Sequence, residues 1–328
     1  TLAFALSHAI GRTLRAGDEI VVTALDHDAN IAPWVALEER GVVIRRADIH
    51  VPECTLDAPA LLELIGQRTR LVAVGYASNA VGTINDLRPI IARAHEVGAL
   101  VFVDAVQYAP HGPIDVRDLG CDFLACSSYK FFGPHLGILY GRRALLESLP
   151  AYKVRPAKDK APDRWETGTK NHECMAALPA VADYLAMIGR DYGGSFGDRL
   201  AGYSGRRREL LAGMEALRVY EAELCGRLLA GLTQIKGLQV WGIADPARAH
   251  QRVPTVSMTW ERAAPDLTAR YLAEQGIFVW SGNYYAIALM ERLGLEERGG
   301  AVRIGLAHYN TAAEVDRLLE TLEELPQG

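Results

Sequence analysis

No apolar run in this sequence approaches the roughly 18 residues of a membrane-spanning helix, and no signal-peptide pattern opens it. A membrane is therefore not expected as a partner. Cysteine is scarce: Cys54, Cys121, Cys126, Cys174 and Cys225 are five in 328 residues, an odd number never spaced C-x-x-C. That excludes a disulfide frame or a zinc site as the organising element, and leads us to expect reduced thiols in the cytoplasm and no bound metal. Neither sign of charge dominates, with 35 Lys and Arg against 40 Asp and Glu for a net charge of −5. Without a basic stripe there is nothing to track a nucleic-acid backbone or an anionic surface. Internal repeats and low-complexity tracts are absent too. No G-x-G-x-x-G follows a strand candidate and no G-x-x-x-x-G-K-[ST] occurs, so a doubly wound nucleotide binder lacks its phosphate motif. An initiator methionine is also missing. Leu2, Phe4, Ala5, Ile10 and Leu14 already run at helical spacing from Thr1, so the sequence opens inside an element and an upstream segment is expected.

What is present is an ordinary globular composition, 49% hydrophobic and 23% charged. A chain of this length buries about 75% of its unfolded surface and tends to split into more than one core. We expect a large α/β domain over residues 1–200 and a smaller α+β domain over 201–328. Short β-branched runs mark strands at Glu19–Thr23, Val42–Ala47, Leu71–Tyr76, Leu100–Asp104, Asp122–Ser127 and Gly137–Tyr140. Between them, 31–40, 58–65 and 87–97 carry apolar residues three and four apart. Alternation of this kind predicts right-handed crossovers and a mostly parallel sheet with helices on both faces. From Asn171 to about Lys236 the pattern is helical, with a Gly/Tyr-rich break at 191–197 and a solvated basic face at 206–208. Strands at Leu238–Trp241, Val253–Thr259, Ile277–Trp280 and Val302–Gly305, with helices at Asp266–Gln275 and Ala312–Glu324, complete the second part.

Ligands of open parallel sheets sit beyond the carboxyl ends of the strands, and several candidate strands end there in polar residues. One leads to Asp26-His27-Asp28-Ala29-Asn30, one to Ser78-Asn79, one ends in Asp104 before Ala105-Val106-Gln107, and one runs into Ser127-Ser128-Tyr129-Lys130. Read singly, each has a plain explanation. Asp104 is as good a helix cap as an active acid, Lys130 in a loop is ordinarily a solvated amine, and His27 suits a capping position. Read together, they bring an acid, an amide, a hydroxyl, a ring and an amine to one crevice. Pyridoxal phosphate needs that set: an amine for its aldehyde, a carboxylate for its ring nitrogen, donors for its phosphate and a ring to stack on.

In this order the residues resemble the class V aminotransferase and cysteine desulfurase family, a fold-type-I pyridoxal-phosphate group, and within it the desulfurase-like proteins without the desulfurase cysteine. The resemblance runs through nearly the whole chain, adding Ser78-Asn79-Ala80-Val81-Gly82-Thr83, Phe131-Phe132-Gly133-Pro134, Glu166-Thr167-Gly168-Thr169 and Val302-Arg303-Ile304-Gly305-Leu306. It implies that Lys130 carries the cofactor, that Asp104 meets the pyridine nitrogen and that His27 stacks on the ring. It further implies that Asn79 and Gln107 reach the phenolic oxygen and that Ser127 holds the phosphate. Thr169 would reach the phosphate of a neighbouring subunit's cofactor in a homodimer, and Arg303 would grip the α-carboxylate of an amino-acid-like substrate. The plain alternative for Arg303 is a surface ion pair on a strand.

Three departures qualify the resemblance. Tyr129 stands where the family commonly has His before the Lys, so no proton relay is expected there. The phosphate-binding Gly/Thr turn of the family would fall at or before Thr1. In the loop Ser281-Gly282-Asn283-Tyr284-Tyr285-Ala286, Tyr285 aligns with the sulfur-accepting cysteine, while Cys174 and Cys225 fall in or near helices and are expected to be small core residues. The expected function is therefore a pyridoxal-phosphate-dependent aminotransferase or lyase acting at Cα. A cysteine desulfurase comes second, and a non-catalytic binding protein on the same fold is the reading from another class.

Overall fold

The structure, a computed structural model, describes residues 1–325. Its twelve strands are β1 Glu19–Thr23, β2 Val43–Ala47, β3 Ile49–His50, β4 Thr55–Leu56, β5 Thr69–Gly75, β6 Leu100–Asp104, β7 Phe123–Ser127, β8 Gly137–Gly141, β9 Leu238–Trp241, β10 Thr255–Trp260, β11 Trp280–Gly282 and β12 Ala301–Gly305. Six form one sheet in the order β2-β1-β5-β6-β7-β8, parallel throughout except for the antiparallel β7–β8 pair. β1 is apolar at three successive positions because both faces of the sheet are covered. Val21, Val72, Val74, Val101 and Val103 point to one side, against Leu61, Ile65, Ile90, Ile91 and Ala94. Their neighbours Ile20, Val22, Leu71, Ala73 and Phe102 point to the other, against Leu6, Ile10 and Trp34. The helix Leu87–Glu96 illustrates the local logic. Asp86 caps it by accepting from the Arg88 N–H at 3.2 Å, and Leu87, Ile90, Ile91 and Ala94 form its buried stripe.

Two long helices, His172–Tyr192 and Gly205–Leu232, follow the large sheet. They cross where Gly189 and Gly213 leave no room for a side chain: a Cβ on Gly189 would lie 1.8 Å from the Glu209 carbonyl oxygen. The second sheet, β11-β12-β10-β9, is antiparallel and packs its own core of Leu228, Leu232, Val256, Met258, Ile304 and Leu318.

Several expected boundaries move. The stretch 31–40 is an α-helical turn Ala32–Val35 continued as a 3-10 helix Ala36–Arg40, ending at Gly41 in the left-handed region. The break between the long helices begins at Gly193 and runs to Ser204, later and longer than 191–197. Only Trp280 of the expected strand 277–280 pairs, as the first residue of β11, because Ile277 and Val279 are held by packing on the second core rather than by a ladder. Arg206 and Arg207 of the basic cluster are exposed and pair with Asp183 and Asp115. Cys225 is buried as expected of a core residue, but Cys174 is only half-buried, at the start of a helix.

Candidate active site

The carboxyl ends of the central strands come level because of their register. Gly75, last of β5, pairs with Asp104, last of β6, and Asp104 in turn pairs with Ala125 of β7. Beyond these ends lies a cavity of about 490 Å³, within the usual range for a small-molecule site. Its lining includes His27, Asn79, Asp104, Gln107, Ser127, Lys130 and Arg303, seven of the eight site residues expected from sequence. Thr169, the eighth, lies outside it on an exposed loop.

Lys130 sits on a 3-10 turn, Ser128–Phe131, directly after β7. Phe132 ends the turn in the left-handed region at φ 71° and packs edge-on against His308, ring centroids 4.6 Å apart. The Ser128 hydroxyl donates to the carbonyls of Pro134 and Leu136, which closes the loop beneath the lysine. Ser127 makes no capping bond with its side chain and lines the cavity. Burial lowers the pKa of the Lys130 amine, the Arg303 guanidinium lowers it further, and Asp104 opposes both. Asp104 accepts from the Val106 N–H at 2.9 Å, and burial pushes its carboxyl up to about 6, against the pull of that bond and of Lys130.

His27 caps a turn and also lines the cavity. Its Nδ1 accepts from the Ala29 N–H at 3.0 Å, capping a 3-10 turn, while the ring faces the cavity. The neutral ring therefore carries its proton on Nε2, and burial keeps its pKa below the usual histidine value. Asn79 donates through Nδ2 to the Tyr284 carbonyl at 2.8 Å, and its Oδ1 is buried without a partner among the described residues. Gln107 donates through Nε2 to Thr255 Oγ1 at 2.8 Å. Arg303 makes no ion pair among the described residues, which removes the surface-pair reading; Nη1 donates to the Asn79 carbonyl at 2.9 Å and the guanidinium lies 4.5 Å from the Tyr284 ring centroid.

Sequence reading assigned no role to Asp26, which lies at the floor of the cavity. Its carboxyl accepts from the Gly75 N–H at 2.7 Å and from Asn30 Nδ2 at 3.2 Å, and a Cβ on Gly75 would meet it at 2.4 Å. Burial, then the charge of Asp104, pushes its pKa up to about 8. The signal available in the sequence was an acid between the end of β1 and His27. Trp280, Tyr284 and Tyr285 also line the cavity, from the segment that begins with β11.

The profile of the family described as aminotransferase class-V matches residues 2–203 and 209–318. This chain belongs to the class-V aminotransferase family. It is 32% identical over 335 residues to a cysteine desulfurase of Pectobacterium atrosepticum, covering 98% of this chain and 74% of that protein. The apo structure of the cysteine desulfurase from Thermococcus onnurineus NA1 superposes with a TM-score of 0.83 at 26% identity, over 98% of this chain and 76% of the other. The cysteine desulfurase CsdA from Escherichia coli, in its S-sulfonic acid form, gives 0.81 at 26% identity over the same shares. The class-V chain is thus a fold-type-I, pyridoxal-phosphate-dependent enzyme of the aminotransferase and lyase kind.

The residues of this cavity fit that cofactor. A deep carboxylate, an amine of lowered pKa, a neutral imidazole and an unpartnered amide oxygen converge on a space of suitable size. No helix among the described residues is long and apolar enough to cross a membrane, and no cluster among them could hold a metal.

Proposed function

We propose that this enzyme moves the proton at Cα of an α-amino acid, leading to transamination or elimination, and that no protein thiol takes part. The observation that carries this reading is the meeting of the Lys130 amine, the Asp104 carboxylate and the Arg303 guanidinium in one cavity. Pyridoxal phosphate, when bound, supplies an electron sink for the pair left at Cα as its proton departs. Lys130 would hold the cofactor, and its amine would take the Cα proton; burial and Arg303 favour the neutral form that can do so. Asp104, mostly ionised at neutral pH, would keep a proton on the ring nitrogen. His27 would cover the ring, Asn79 and Gln107 would serve its phenolic oxygen, and Ser127 its phosphate. Arg303 would orient the substrate carboxylate with the part of its fork that Asn79 leaves free.

With this goes a cofactor-binding part over residues 1–200 and a substrate-gripping part over 201–328. It also includes a homodimer in which Thr169 of one copy serves the phosphate site of the other; the exposure of Thr169 away from its own cavity supports this. A fully active monomer would remove that element.

Desulfuration remains the second reading, favoured by the 32% identity to a cysteine desulfurase. Against it, no cysteine lines the cavity among the described residues, and burial raises the Cys121 and Cys126 thiols to about 11 and that of Cys54 to about 12. Borohydride reduction of the loaded enzyme should fix the cofactor on Lys130, and amino acids should yield keto acid or ammonia. A label on Lys153 or Lys158 would overturn the site. Loss of turnover on changing one cysteine to serine, with cofactor retained, would restore desulfuration to first place.

A further inference from the structure

The loop that closes the cavity is strained at two successive positions. Tyr284 and Tyr285 have φ of 57° and 58°. Each non-glycine residue in the left-handed region costs about 1–2 kcal/mol, so a consecutive pair persists only where its surroundings hold it. Here the holding bonds come from separate segments. The Tyr284 carbonyl accepts from Asn79 Nδ2 at 2.8 Å and the Tyr285 carbonyl from the Asp28 N–H at 2.7 Å. The Tyr285 N–H donates to Asn283 Oδ1 at 3.1 Å, and Asn283 is tied to Glu296 at 2.9 Å. The two rings that result have different fates. Tyr284 is buried beneath Arg303 and its hydroxyl donates to the Ala301 carbonyl. Tyr285 is 70% exposed, with its ring stacked 5.6 Å from that of His27 at the cavity. Strain that only filled a core would bury both rings; this strain holds one of them in the open.

The chemistry left over in the cavity points the same way. Once the cofactor residues and the carboxylate anchor Arg303 are assigned, the larger side chains of the lining left without a role are Trp280, Tyr285 and Tyr129, the last stacked on His135 with ring centroids 4.9 Å apart. Trp280 is 66% exposed and Tyr129 47%. Asp26 is spent on Gly75 and Asn30, so no free acid or base remains among the described lining residues to meet a charged substrate side chain.

The geometry points to Tyr285, flanked by Trp280 and Tyr129, as a fixed aromatic wall that selects α-amino acids whose side chain carries an aromatic ring. This rests on the reading of Arg303 as the carboxylate anchor. A thiol as small as that of cysteine would leave the wall uncovered, whereas a substrate ring gains stacking as well as burial there.

The test uses ligands that cannot react. 3-Phenylpropionate and propionate both carry the carboxylate, neither carries an amine, and only the first carries a ring. Titrated calorimetrically into the cofactor-loaded enzyme, 3-phenylpropionate should bind at least about tenfold tighter than propionate. Tyr285→Gly, which suits the left-handed backbone and so keeps the loop, should reduce that preference to about threefold or less without weakening propionate; Tyr285→Phe should preserve it. Trp280→Ala should lower it in part. Equal affinity of the two ligands for the unaltered enzyme, or equal weakening of both by Tyr285→Gly, would overturn the wall. Arg303→Ala separates the two ideas. Loss of both ligands on this change with no ring preference in the parent sinks the wall alone, and affinities for both ligands left unchanged by it sink the anchor.

Discussion

The large parallel sheet presents its cavity residues at strand ends, whereas the small antiparallel sheet presents its own from a strand and from a strained loop. On the first side, Asp26, Asp104 and Lys130 are titratable groups whose proton affinities are moved chiefly by burial. On the second, Arg303 is a permanent cation resting on Tyr284, and Trp280 and Tyr285 are exposed rings. The difference separates chemistry from recognition. Proton transfer needs groups whose charge can change, and these must be desolvated and close together. Recognition needs a fixed charge and a fixed shape, which can stand at the mouth.

If that division is right, damage to the first side should cost turnover and damage to the second should cost affinity. The largest effect is expected from Asp104→Asn, which should lower turnover by roughly a hundred- to a thousandfold while the protein folds and keeps its cofactor on Lys130, because a neutral amide cannot stabilise a ring proton. Unchanged turnover at matched cofactor occupancy would break the comparison at its strongest point. Next comes Arg303→Ala. It should weaken α-amino acids by roughly 2 to 5 kcal/mol, affect amines without a carboxylate less, and leave cofactor retention alone. Similar losses for both substrate types would mean that Arg303 supports the fold through Asn79 instead.

The smallest effect sharpens the contrast through stability. Asp26 holds its proton up to about pH 8 in the fold but releases it near 3.8 when unfolded. The folded state therefore binds the extra proton between those values, so this contribution to stability is full below about pH 3.8 and is lost as pH rises through 8. Asp104 acts in the same direction between 3.8 and about 6. Asp26→Asn, uncharged throughout, should flatten the decline between pH 6 and 8 by about 1 kcal/mol per pH unit, measured by urea unfolding at each pH. An unaltered slope would mean that Asp26 is ionised in the fold. No comparable change in slope is expected from Tyr285→Gly.

Much of the first side was legible in the order of residues. The limits of β1, β6 and β9 agree residue for residue with the runs that predicted them: Asp18 precedes β1, Asp104 closes β6, and Gly237 and Gly242 flank β9, residue types that a strand interior disfavours. Asp104 and Lys130 were legible for the same reason, since strand ends locate them. Asp26 was not, because its importance lies in facing Asp104 and Gly75 across two neighbouring strands. The second side was harder to read. Ile277 and Val279 look like strand residues yet serve as packing, and nothing in Tyr284-Tyr285 announces a left-handed pair, a conformation that tyrosine adopts only when distant groups impose it.

The sequence by itself determined the alternation of strands and helices, the two apolar faces of the large sheet, and the residue types waiting at each strand end, because periodicity and turn chemistry act over a few residues. The tertiary structure decided which of those residues share one cavity, which proton affinities shift and which tyrosine stays in the open. Those outcomes depend on desolvation and on hydrogen bonds between segments far apart in the chain, from Asn79 to Tyr284 and from Asp28 to Tyr285, and such contacts exist only once the chain has folded.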